Sequence, residues 1–174
     1  MIMPPTVRKI VLVAHIVSSV GSLGAVASFL ALALIALTGQ NAQMMGSAYV
    51  AMEITARLVI VPLVLASLLT GIIQSLGTAW GLFRHYWVLA KLLLTLFTLV
   101  VLLLKLKGIS YMALAETTSM STDLLGLRRS VVLHATGGLI VLLLTTVLSV
   151  FKPRGMTPFG WRRQYRGDNG TAHK

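Results

Sequence analysis

Five ionisable side chains interrupt stretches that are otherwise apolar, and their types are those that bind porphyrins, metals or protons: His15, Lys91, His134 and the pair Glu53 and Arg57. A neutral imidazole is a good ligand for haem iron or a bare metal ion. His15 and His134 have no carboxylate near them in their own segments, so each reads either as such a ligand or as a hydrogen-bonded structural residue. Lys91 places a charge where an apolar medium penalises it, so it must snorkel along its own stem to water or meet a partner. Glu53 and Arg57 stand four residues apart, the helical spacing at which opposite charges neutralise each other.

Small and polar residues accompany these groups. His15 has Ser18, Ser19 and Ser22 around it, with Gly21 and Ala25 beside them, and Gly137 and Gly138 lie one turn from His134. Helical spacing puts Lys91, Thr95, Thr98, Leu102 and Lys105 on one face, and Glu53, Arg57, Val64, Ser67, Gly71 and Gln74 on another. Small residues beside a histidine leave room for a flat macrocycle, and they equally allow two helices to pack closely. The candidate cofactor site is therefore His15 and Lys91 with Ser19, Ser22 and Thr95, and the candidate metal ligands are His15 and His134. The two histidines differ in depth by about 10 Å on the helical rise, so one iron is not expected to take both. Met44, Met45, Met52, Met112 and Met120 gather toward the His134 side, a looser signal for copper(I), or else ordinary apolar filling.

Helices spanning a membrane must hold these residues. A bilayer core of about 30 Å needs about 20 mostly apolar residues. Four runs meet that requirement, at about 8–37, 49–75, 84–106 and 126–151, with a basic tail at 152–174. The first starts after Arg8 and Lys9 like a signal peptide, but it is too long for one and reads as an uncleaved span. Loops are expected at 39–47, 77–81 and 108–122. Pro62 should kink the second helix, Trp80, Phe83, Tyr86 and Trp87 should mark a membrane boundary, and Asp123 should cap the fourth helix. Short loops make successive spans antiparallel neighbours, so the expected fold is all-α, one domain over 1–174, an up-down-up-down four-helix transmembrane bundle.

Composition supports the same class. The 174 residues are 56% hydrophobic and 11% charged, too little polar surface for a soluble domain of this size. With no cysteine, disulfides, thiolate-held zinc, iron–sulfur clusters and thioether-linked haem are excluded. Motifs for serine hydrolysis and nucleotide binding are lacking as well. The net charge of +11 sits at span ends and in the tail, which points to anionic lipid headgroups and not to nucleic acid. Arg8, Lys9, Arg84 and six tail cations outnumber Lys105, Lys107, Arg128 and Arg129, so both termini are expected in the cytoplasm and the protein in the cytoplasmic membrane. The small-residue stripes leave a homodimer or another membrane subunit open.

The block LLTGIIQSLGTAWGLFRHYWVLAKLLLTL, preceded by KIVLVAHIVSSVGSLGA and followed by LHATGGLIVLLLTTVLSVFKPRGMTPFGW, resembles a bacterial family of four-span membrane proteins classed as a domain of unknown function. More distantly the chain resembles the copper-resistance D superfamily and its relative, the HemJ-type protoporphyrinogen oxidase. That likeness implies that His15 and Lys91 form a functional pair in binding haem b, and Lys152–Pro153 matches the Lys-Pro that ends the last span. The first span here continues as GSLGAVASFLALAL, without that family's aromatic- and arginine-containing motif. What the resemblance implies is thus haem binding with a redox or electron-transfer role, and not porphyrinogen oxidation. The competing expectations are a non-catalytic membrane subunit or scaffold, and a copper-handling protein.

Overall fold

The structure is a computed structural model that describes residues 3–39, 41–77, 85–117, 125–151, 155 and 157. Its elements are all helical: α1 (Pro5–Thr38), α2 (Ala42–Gly77), α3 (Tyr86–Thr117) and α4 (Leu125–Phe151). Each of the four is long and apolar enough to cross a membrane. Their outward surfaces fit that reading, because large apolar side chains such as Leu58, Leu104 and Leu133 are more than 70% exposed. In water such a belt would drive aggregation.

Local chemistry sets the helix ends. Pro5 opens α1, where a missing N–H costs nothing. Gly39 stops it in an extended conformation while its N–H donates to the Ile35 carbonyl at 2.8 Å. A side chain at Gly39 would stand 2.8 Å from that carbonyl oxygen and 3.0 Å from Met45 Cγ, so only glycine lets the two helices turn so closely. Asn41 then caps α2, its side chain accepting from the Gln43 N–H at 2.9 Å. The helix therefore begins at Ala42, seven residues before the expected Tyr49, and the connection shrinks to three residues.

Pro62 acts on α2 from within. It has no N–H to give the Leu58 carbonyl, and the turn before it, Ala56–Ile60, widens to a π-helix in which the Val61 N–H donates to the Ala56 carbonyl. A kink was expected here; what the structure shows is one wide turn, with α2 continuing unbroken to Gly77.

α3 also departs from expectation. Gly108 was expected to begin a loop, yet the helix runs through it to Thr117. Burial offsets the cost of about 1 kcal/mol for one helical glycine: Ile109 and Met112 pack into the core, and Ser110 bonds across to α2. The tail apart from Gly155 and Thr157, together with Trp80, Phe83, Met120 and Asp123, lies outside the described residues.

Contacts fix the relative register. On α1, His15 meets Ser67 and Thr70, Gly21 meets Leu63, and Gly39 meets Met45, so α1 and α2 run in opposite directions. Lys91 on α3 meets Ser149 on α4, and Arg57 on α2 meets Ser110 on α3. The apolar core is lopsided. Phe29, Ala33, Ala36, Tyr49, Met52, Ile60, Ile109 and Met112 pack it tightly toward the Arg57 end, with Leu99 and Leu142 at the boundary nearest the Lys91 end. Toward the Lys91 end the helices part around a cavity.

Candidate functional site

The cavity has a volume of about 570 Å³ and takes residues from all four helices, among them Arg8, His15 and Ser19 of α1, Ser67 and Gly71 of α2, Lys91 and Thr95 of α3, and Thr146 and Ser149 of α4. That volume lies within the usual range for a small-molecule site, about 300–1,000 Å³. Below it lies a second space of about 30 Å³, bordered by Ser22, Val64 and Leu142 and sharing Ser19, Ser67, Thr95, Thr145 and Thr146 with the larger one. Of the five candidate cofactor residues, His15, Lys91, Ser19 and Thr95 line the large cavity, and Ser22 lines the small one beneath it.

His15 is held from one side. Its Nδ1 lies 3.0 Å from the Ser67 carbonyl and 3.1 Å from Thr70 Oγ1. A carbonyl can only accept, so Nδ1 is the donor, and in the neutral ring Nε2 keeps its lone pair. The Thr70 hydroxyl spends its own proton on the Ala66 carbonyl at 2.6 Å and is thereby an acceptor toward His15. Gly71 makes room for the ring, since a Cβ there would stand 3.1 Å from His15 Cε1. A ring N–H fixed on a carbonyl with the other nitrogen bearing its lone pair is the arrangement that orients histidines for metal binding.

Lys91 is held from two sides. Its Nζ donates to Ser149 Oγ at 2.9 Å and lies 4.6 Å from the centre of the Trp87 ring. Ser149 Oγ can accept because its proton goes to the Thr145 carbonyl at 3.0 Å. Both are contacts that a lysine Nζ makes as a donor. Arg8 lines the same end, and no carboxylate lines the cavity among the described residues.

His134 is not brought to this site. Its Nδ1 turns back onto the Ser130 carbonyl and hydroxyl of its own helix, and it lines neither cavity. The structure thus does not assemble the two candidate metal ligands, in line with their different depths. Among the described residues no three of His, Asp or Glu converge in a way that could hold a metal ion. The methionines are mostly packing: Met52 and Met112 are fully buried in the core, and Met45 Sδ lies 3.4 Å from Arg128 Nη1.

Glu53 and Arg57 do pair, at 3.1 Å. Ser110 completes the cluster, accepting from Arg57 Nη2 at 2.8 Å and donating to Glu53 Oε1 at 2.7 Å. Sequence reasoning missed Ser110 because it placed the residue in a loop. It also missed Thr145, Thr146 and Ser149, although hydroxyls four residues apart in an apolar run carry the same signal that marked Lys91 and Thr95. Thr98, placed on the Lys91 face, bonds the Leu94 carbonyl and does not line either cavity.

Fold and site together define an all-helical chain with four membrane-length helices around a cavity of mixed, mainly apolar lining with Arg8 and Lys91 at one end. Compared with protein-family models, with curated proteins and with solved structures, the chain matches none.

Proposed function

We propose that this chain is a four-span protein of the cytoplasmic membrane, up-down-up-down with both termini cytoplasmic, and that its cavity binds one haem b or a related porphyrin for redox or electron transfer. Dimensions support the insertion. Lys91 and Ser110 are nineteen residues apart on α3, about 28 Å at the helical rise, which matches the hydrocarbon thickness. The Lys91 cluster with Trp87 then falls at one interface, where anionic lipids can meet Arg8 and the basic tail, and the Glu53–Arg57–Ser110 cluster falls at the other.

The observation that carries the haem reading is the meeting of His15 and Lys91 on one 570 Å³ cavity, with His15 Nδ1 committed to the Ser67 carbonyl. His15 is the proposed axial ligand through Nε2. Lys91 is better suited to a porphyrin carboxylate than to iron, because its Nζ is already engaged by Ser149 Oγ and the Trp87 ring and can add a further hydrogen bond to an anionic group. The donor set fits a macrocycle, which brings four nitrogens of its own, better than a bare ion. When bound, the group would supply one-electron chemistry; the chain supplies one imidazole, the cationic mouth and the apolar core that closes the far side of the site. Visible spectroscopy of detergent-purified protein from haem-supplemented cells tests the haem reading. A Soret band lost in His15→Ala and kept in His134→Ala is expected, and colourless wild-type protein would refute it.

A further inference from the structure

The floor of the cavity has chemistry of its own that the haem reading does not use. The hydroxyls of Ser22, Thr145 and Thr146 each donate to a carbonyl of their own helix, at 2.7, 2.9 and 2.8 Å. Their protons are spent, so they present lone pairs. Ser19 and Ser67 lie 2.8 Å apart and share one proton between them, which leaves the other hydroxyl proton uncommitted. Thr95 lines the same space, and its hydroxyl makes no bond within the described structure. Acceptors and donors thus surround about 30 Å³, enough for one or two waters, which need just such a polar, multiply partnered space.

We infer that this floor is a water-binding site in the middle of the membrane, filled from the Arg8 face alone. The small space shares five lining residues with the large cavity, so water entering past Arg8 and Lys91 can pass His15 and reach it. On the far side Val64 and Leu142, both buried, close it, and Ile60 and Leu99 of the apolar core stand behind them. Ser19 is eleven residues beyond Arg8 on α1, about 16 Å along the axis, or about half the hydrocarbon thickness. The result is an aqueous half-channel: a path for water, and for a proton carried on water, from one interface to the bilayer centre, ending in an apolar plug. It rests on the four-span insertion proposed above, does not need a porphyrin, and is read in protein whose large cavity holds none.

The absence of cysteine allows a direct test. Thr95→Cys and Thr146→Cys are introduced singly into the full chain, and a membrane-impermeant methanethiosulfonate is added to right-side-out and to inverted vesicles. Leu104→Cys, 73% exposed on the lipid side, sets the unreactive baseline. Modification of both floor positions from the face bearing the N-terminus, at least tenfold faster than from the other, is the expected result. Modification from neither face, or equally from both, overturns it. Retention of the wild-type elution profile by each variant shows that the bundle is folded, and Thr95→Ser should keep the floor wet, seen as unchanged labelling at Thr146→Cys. The haem reading fails separately: colourless protein with one-sided labelling removes the haem and leaves the half-channel.

Discussion

At the scale of single residues, the site depends on how each polar group spends its protons. Lys91 is held by Ser149 and Trp87, so on the haem proposal its contribution should follow the carboxylates of the ligand and not the metal. An iron-free probe separates the two. Mesoporphyrin, with two carboxylates, should bind the Lys91→Gln variant about tenfold more weakly than wild type, the scale of one charge-assisted hydrogen bond. Its dimethyl ester should bind both within about twofold, and equal losses for both probes would show that Lys91 acts only through packing. Gly71 tests the histidine from behind. Alanine there gains helix propensity of about 1 kcal/mol, yet its Cβ at 3.1 Å from His15 Cε1 makes the ring shift slightly on its Ser67 hydrogen bond. The expected Gly71→Ala protein melts no lower than wild type and binds haemin several-fold more weakly, with an altered Soret position. An unchanged spectrum would show that the ring can shift without losing its orientation.

Helices, not single residues, decide which parts of this arrangement could be seen in advance. Four apolar runs were legible because their length and hydropathy leave no alternative, and His15, Lys91, Ser19 and Thr95 were legible because polar groups inside such runs stand out. The Arg57 end was not. Residues 42–48 and 108–117 are polar and glycine-containing enough to read as loops, and they become helix because Ala48, Tyr49, Met52, Ile109 and Met112 bury one another. Packing overrode local propensity there. Thr145 and Thr146 escaped notice for a different reason. A hydroxyl bonded to its own helix carbonyl is ordinary in a span, and only the neighbouring helices reveal that the oxygen faces a cavity. Ser110 shows how much such a tie between helices carries. Ser110→Ala removes both of its cross-helix bonds while Glu53 and Arg57 still meet, and should cost about 1–3 kcal/mol, read as a lower detergent melting temperature. Combined with Glu53→Gln the loss should be less than additive, because both changes break one network. Strict additivity would mean that Ser110 and Glu53 act separately.

Over the whole molecule, tight packing and the cavity occupy opposite ends. Tight apolar packing fills the Arg57 end, where Ala36, Met52 and Met112 are fully buried, while the Lys91 end gives up contact area to a cavity of about 570 Å³. An open cavity forfeits dispersion and close packing, so helices around it are held by fewer, polar contacts such as His15 to Ser67, Ser19 to Ser67 and Lys91 to Ser149. Local opening should follow that division. In one detergent, amides over 12–19 and 67–75 should exchange hydrogen faster than those over 29–36 and 52–60, although all four stretches are helical and belong to the same two helices. A cavity ligand should slow exchange in the first pair and leave the second unchanged, because binding adds contacts at one end only. Equal protection in both halves would mean that the helices close over the cavity in solution, which would remove the site and its water path together.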